Sequence, residues 1–282
     1  MSFVATPEQI ARFEAFSKKP SFSQEAIVVD FKTTPEFIQS ILPPGFDAGD
    51  TPTGHILLSN MESNGVGEFD CAIVSFDVKF RGTAGTYMLE IIVSGDLPVT
   101  WGREVWGECK KTGTCRMYRS GNIRHAYAER GGVRLIELQG EFGDDLPPRK
   151  RENFNFEIKA YPDAQGNGLQ YEPIVNVLRV QEHDDRHSVG KGRLVIRGTE
   201  SDPLHTIPIL SISDFIYTSG RADYTVEQQH ELGCGAAYLP YLLGRHYEDL
   251  KVFKRGGEWT RLEDQEAESE AYPVQRLNTP SK

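Results

Sequence analysis

The chain has 282 residues, 38% hydrophobic and 26% charged, with 41 acidic against 31 basic residues and a formal net charge of -10 at pH 7. A chain of that size buries a large core without cross-links, and its acidic balance argues against a nucleic-acid binder, which needs a basic face toward phosphate. No stretch approaches the ~18 apolar residues of a membrane span. The four scattered cysteines, Cys71, Cys109, Cys115 and Cys234, read as reduced thiols of a cytoplasmic protein.

The first segment, "MSFVATPEQIARFEAFSKKPSF", lacks the basic start and apolar core of a signal peptide. It reads as a helix with Thr6 as N-cap, Pro7 at the first position and Glu8 in the first turn. "EAIVVDF" (25–31) is a strand by its β-branched content. Thr34 and Pro35 open a second helix whose Phe37, Ile38, Ile41 and Leu42 recur at helical spacing, and Pro43-Pro44-Gly45 ends it.

From residue 55 the pattern changes to strands: "HILLSN", "CAIVSFDVKF", "GTYMLEIIV", "GGVRLIELQG", "NFNFEIKAY", "IVNVLRVQEH", "KGRLVIRG" and "PILSISDFIYTSG". Apolar Val133, Leu135, Ile136 and Leu138 alternate with polar neighbours, with one slip that marks a bulge. Strands in succession, joined by short turns with few helices between, favour antiparallel pairing in a barrel or sandwich over a βαβ fold. Eight or so strands over this length suit one closed sheet. A last helix is expected over 236–250, with Pro240 as its start or a kink. Residues 1–256 are thus expected to form a single mainly β domain, followed by a charged, mobile tail at 257–282.

Most motif searches return nothing. His183 and His187 in "EHDDRHS" have a spacing that suits zinc on a helix, but the acidic, turn-like composition reads as a hairpin loop. No Gly-x-Ser-x-Gly elbow, dinucleotide fingerprint or phosphate loop occurs. Cys109 and Cys115 match no common metal or redox spacing, although a cation at Lys110 would lower the Cys109 thiol pKa and make it a second candidate nucleophile.

The segment "LPVTWGREVWGECKKTGTC" is the informative one. A lysine pair is ordinarily surface decoration, but this one, Lys110-Lys111, follows an apolar stretch holding two of the chain's three tryptophans, Trp101 and Trp106. Lysine attacks a ketone only as the free amine, and its ordinary pKa of about 10.4 leaves almost none at neutral pH. Burial and a neighbouring ammonium both lower that value, and acetoacetate decarboxylase is the standard example of such an amine.

Here the sequence resembles the acetoacetate decarboxylase family. Gly102-Arg103-Glu104 followed by Lys110-Lys111 carries the family pattern, and "GTYMLEIIVSGDLP" ahead of it resembles the family strand with its tyrosine, Tyr87. Later segments match in order, so the resemblance covers roughly residues 20 to 225. It implies a mainly β (α+β) fold: an antiparallel, cone-shaped β-barrel with a few peripheral helices, assembled into homo-oligomers and needing no metal or organic cofactor. It also implies Lys110 as the Schiff-base residue, Lys111 as the cation that depresses its pKa, and Arg103 and Glu104 as pocket residues.

The sequence departs from the family in the residues around that motif. Cys109 replaces a proline and Glu108 an aromatic residue. The family's acidic residue and its substrate-holding arginine fall at Cys71 and Gln24. Glu68, Asp70 or Glu90 is then expected to supply the carboxylate. Three functions follow. The first is an imine-forming lyase that decarboxylates a β-keto acid. The second is an aldolase, dehydratase or cyclase using the same imine, as in a tailoring step of secondary metabolism. The third is a non-catalytic barrel for a small ligand, which a buried Glu108–Lys110 ion pair would favour.

Overall fold

A computed structural model describes residues 3–63, 65–246 and 273–280. Helix α1 (Pro7–Lys18) starts as its sequence dictates: the Thr6 hydroxyl accepts from the Gln9 amide, and the Gln9 side chain accepts from the Thr6 amide. Then come β1 (Ser21–Lys32), α2 (Pro35–Ile41, capped by Thr34), β2 (Phe46–Ala48), β3 (Thr53–Ser63), β4 (Gly67–Phe80) and β5 (Thr83–Val93). Helix α3 (Asp96–Trp101) runs directly into a π-helical turn, Gly102–Trp106. After it lie β6 (Lys110–Thr112), β7 (Thr114–Ser120), β8 (Ile123–Arg130), β9 (Val133–Phe142), β10 (Arg149–Lys159), β11 (Ile174–Arg197), β12 (Ser211–Glu231), α4 (Leu239–His246) and β13 (Val274–Asn278).

Seven strands close a ring in the order β10-β5-β4-β3-β1-β12-β11 and back to β10. Every pairing in the ring is antiparallel except the seam, where β10 meets β5 in parallel over Asn155–Thr86 and Phe156–Tyr87. The turn from β4 to β5 is the two residues Arg81-Gly82, both at positive φ (50° and 82°), which matches the twist of a tight hairpin. Strands β11 and β12 run on past the ring. The far half of β11 pairs with β9, and β8 and β7 continue that sheet.

The sequence of β1 shows why two layers form. Phe22, Gln24 and Ala26 are buried on one face, and Ile27, Val29 and Phe31 on the other. The odd-numbered face joins a large core that includes Ala126, Leu135 and Leu138 of the second sheet. The even-numbered face joins a smaller cluster with Met61, Phe69, Met88, Leu178, Trp101 and Trp106. That cluster joins β1, β3, β4, β5 and β11, with Tyr224 of β12 packed against it; the second sheet covers the other face of the ring, so this face is the barrel interior.

The mainly β barrel expected from the sequence is what forms, and the slip in β9 is a bulge: Ala128 faces Ile136 and Glu129 faces Arg134, leaving Leu135 unpaired between them. The structure differs from the expected elements in several places. "EHDDRHS" is no hairpin loop; β11 passes straight through it, with a bulge between Asp184 and Arg186. The hairpin of β7 and β8 went unforeseen, because only Cys115, Ala126 and Ala128 of it are buried and its alternation is faint. Within the tail expected at 257–282, residues 274–278 form the strand β13 on β11, and 257–272 lie outside the described residues. Of the helix expected over 236–250, α4 spans Leu239–His246 and the rest beyond it lies outside the described residues.

His55 on β3 bridges Asp30 (2.8 Å) and Asp77 (2.9 Å) across three strands. Burial works to discharge it, but the two carboxylates overcome that and raise its pKa from 6.5 to about 9. A raised folded pKa stabilises fully below the unfolded value and is lost as pH climbs through the folded one. Urea unfolding is therefore expected to show His55→Gln less stable than the parent by on the order of 1 kcal/mol at pH 6, the pair being partly exposed. That difference should fade between about pH 6.5 and pH 9.

Candidate active site

The strand β6 places both lysines. It pairs in parallel with β5, Ile91 beside Lys110 and Ile92 beside Lys111. Successive residues of a strand point to opposite faces, so the adjacent lysines diverge. Ile91 belongs to the interior cluster and Ile92 to the outer one, and the lysines follow their neighbours.

Lys111 enters an ion cluster outside the ring. Its Nζ donates to Asp202 Oδ1 at 2.8 Å and to Glu90 Oε2 at 3.1 Å, and Arg130 meets Asp202 at 3.2 Å. Burial alone would lower the Lys111 pKa, but Glu90 and Asp202 hold it above the ordinary value. Burial pushes Glu90 up to about 8, with Lys111 opposing the rise. The charge expected to depress Lys110 is thus answered by carboxylates on the opposite face of the strand.

Lys110 points into the barrel and is 7% exposed. Its Nζ lies 2.7 Å from Glu108 Oε2 and 5.6 Å from the centre of the Phe69 ring. Cys71, Trp101 and Trp106 complete the apolar surroundings, with the two indoles packed edge to face at 4.5 Å. Glu108, noted in the sequence as a departure, does turn inward.

The π-helical turn fixes this pair. The Gly102 carbonyl accepts from the amides of Gly107 (3.0 Å) and Glu108 (3.1 Å). Asn176 Nδ2 donates to the Trp106 carbonyl at 2.6 Å, and the Tyr161 hydroxyl to the Arg103 carbonyl at 3.3 Å. The two glycines are there for different reasons. A Cβ on Gly102 would lie 2.2 Å from Glu108 Oε2 and 2.9 Å from Lys110 Nζ. A Cβ on Gly107 would lie 2.4 Å from the backbone of Lys159, at a φ of +90°.

The other predicted site residues divide between the two faces or lie outside. Trp106 lines the interior. Glu90 belongs with Lys111. Tyr87 is buried in the outer core, under the Arg245 guanidinium at 4.6 Å. Arg103 is half-buried on the π-helical turn, and Glu104 is exposed there. Glu68 is exposed and accepts from Asn60, while Asp70 pairs with Arg116 at 2.9 Å; on β4 it is Phe69 and Cys71 that face Lys110. Cys109 is poorly placed to act as a thiolate: burial raises its pKa to about 12, and its thiol donates to the Met88 carbonyl.

Three residues that the sequence did not assign to the site also face the interior. Gln24 is buried and donates to Glu182 at 3.4 Å. Tyr224 packs on Trp106, and Glu157 is a buried acid on β10. Among the described residues no cluster of three or more His, Cys, Asp and Glu side chains forms a metal site.

A sequence model described as acetoacetate decarboxylase matches residues 5–229. The acetoacetate decarboxylase of Paraburkholderia phytofirmans is 24% identical over 228 residues, covering 78% of this chain and 86% of the relative. For acetoacetate decarboxylase 3 of Mesorhizobium japonicum the match is 24% over 102 residues, 36% of this chain and 40% of the relative. Among solved structures, the acetoacetate decarboxylase of Legionella pneumophila superposes with a TM-score of 0.64 at 17% identity, covering 74% of this chain and 87% of that one. The enduracididine biosynthesis enzyme MppR gives 0.65 at 15% identity, covering 76% and 88%. At these identities the two structures establish the fold.

The two glycines yield a paired expectation. Gly102→Ala first meets the side chains of Glu108 and Lys110 rather than backbone, so the protein is expected to stay folded while the pair is displaced; any Lys110-dependent activity should fall at least about 10-fold, since misplacements near 1 Å cost that or more. Gly107→Ala meets backbone in a left-handed conformation and should lose about 2 kcal/mol or more of stability. Thermal unfolding and a Lys110 labelling assay, run on both variants, separate the two effects.

Proposed function

Because the chain belongs to the acetoacetate decarboxylase family, we propose that it is a Schiff-base lyase in which Lys110 attacks the ketone of a small β-keto acid and carbon dioxide is lost. The single observation that supports this is the burial of Lys110 inside an apolar barrel; its ion pair with Glu108 at 2.7 Å, the contact that favours a binding barrel while the amine stays charged, fits catalysis when Glu108 takes the Nζ proton.

The chemistry follows from that pair. Transfer of a proton from Nζ to Glu108 leaves a neutral amine next to a carboxylic acid. The amine adds to the ketone, and Glu108 returns the proton to the departing hydroxyl, so water leaves and an iminium forms. The iminium accepts the electron pair of the breaking carbon–carbon bond, giving an enamine. Dry, apolar walls suit a step in which carboxylate charge is dispersed. Base assistance of this kind contributes ~10²–10⁴-fold in rate, and it replaces the effect that the resemblance assigns to the second lysine.

A second reading keeps the imine and changes its fate. Gln24 stands where the resemblance expects an arginine, and Lys111 faces away, so neither supplies a cation for a substrate carboxylate inside the barrel. MppR, similar in fold, is known in complex with the condensation product of pyruvate and imidazole 4-carboxaldehyde. An enamine on Lys110 adding to an aldehyde is the corresponding reaction here.

Borohydride reduction in the presence of acetoacetate or pyruvate is expected to add substrate mass to the peptide carrying Lys110, and Lys110→Ala to abolish both the adduct and turnover. Carbon dioxide released from acetoacetate supports decarboxylation; an adduct without carbon dioxide supports the second reading. A Lys110→Ala variant with full turnover excludes both. A wild-type protein that forms no adduct with any keto acid, ketone or aldehyde tried favours the binding barrel.

A further inference from the structure

Glu157 is a buried acid for which the fold has no evident use. It is 2% exposed and lies on β10 between Phe156 and Ile158, whose side chains join the outer core. Alternation puts Glu157 on the other face, inside the ring. Its register partner on β11 is Asn176, the residue that grips the Trp106 carbonyl. Two residues along β10, the Lys159 backbone packs on Gly107. Both contacts press the segment carrying Glu108 and Lys110 against the part of β10 that holds Glu157.

Among the described residues the Glu157 Oε2 atom has no hydrogen-bond partner. A buried carboxyl left this way costs stability unless it is neutral. The groups around it are Glu108, Cys109 and Lys110 from the segment above, Tyr87 from β5, Tyr224 from β12, and Tyr238 and Arg245 from the C-terminal helical stretch. Burial, reinforced by the charge of Glu108, holds its pKa well above the usual carboxylate range against the pull of Arg245 and Lys110.

We propose that Glu157 is the acid that protonates carbon in the imine chemistry of Lys110, a role that rests on the Schiff-base reading above. The enamine electron pair forms a new C–H bond with the Glu157 proton, the O–H bond breaks, and the enamine nitrogen becomes an iminium. Water then attacks the iminium. The attacking water gives up one proton to the Glu157 carboxylate, and the neutral carbinolamine then collapses to ketone and free amine. The two carboxyls divide the work by environment: Glu108, beside the ammonium, serves imine formation, while Glu157, kept protonated by burial, delivers the proton to carbon and regains one on hydrolysis.

The test uses the full chain and a step that isolates carbon protonation: exchange of the methyl protons of acetone or pyruvate with D2O, followed by NMR, alongside borohydride trapping of the same compounds. Glu157→Gln is neutral and nearly isosteric, so a merely structural acid would tolerate it without loss, and thermal unfolding checks that it folds. The expected result is trapping on Lys110 retained, exchange slowed about 100-fold or more, and the alkaline limb of the exchange profile lost. Glu157→Asp, which keeps an acid, should restore part of the rate. Exchange at the parental rate and pH profile in Glu157→Gln overturns the proposal. So does loss of trapping in a folded variant, which would place Glu157 at imine formation instead. A parent protein that traps neither compound defeats the Schiff-base reading itself, an outcome distinct from both.

Discussion

The site depends on one contact, the ammonium of Lys110 against the carboxylate of Glu108 inside an apolar barrel. Two charges taken out of water cost several kcal/mol each before their mutual attraction is counted. A fold keeps such a pair when geometry holds it or chemistry needs it. The geometry is explicit: Gly102 has no side chain because Glu108 and Lys110 occupy its space, and the carbonyls of Gly102, Arg103 and Trp106 are each held by a named donor. A π-helical turn, rare in ordinary helices and frequent at functional sites, brings those anchors together.

Two adjacent lysines in a strand are neighbours in sequence but not in environment. The pleat sends Lys110 inward and Lys111 outward, and each meets its own carboxylates. Lys111, Glu90, Asp202 and Arg130 tie β6 and β5 to the loop before β12 and to β8. That cluster fixes the register of a three-residue strand too short to hold itself. The second lysine's ion contacts thus lie on the face of β6 opposite the first.

The architecture was legible because most of its strands announce themselves by β-branched residues and alternation. What stayed hidden was hidden for physical reasons. The β7–β8 hairpin is amphipathic only through Cys115, Ala126 and Ala128. Asp184 and Asp185 suggested a turn, but Arg149 and Arg151 pair with Asp184, so β11 runs on. The motif points to Lys110 but carries no information about faces, so it groups Lys111, Glu90 and Tyr87 with a residue from which the pleat separates them. Glu68 was placed one residue out of phase with Phe69. Glu157 gave the opposite signal: in "NFNFEIKAY" it reads as part of a solvent face, and only closure of the ring buries both faces of β10.

Glu108 is either the base that frees the amine or a counter-ion that locks it as an ammonium, and the two roles predict opposite effects of its removal. The decisive measurement is the single-turnover rate of imine formation on Lys110 at neutral pH in Glu108→Gln, with pyruvate as probe. Base catalysis predicts a fall of about 100-fold or more. A rate equal to or above that of the parent protein would contradict the account, because the contact at the centre of the barrel would then restrain the amine rather than release it.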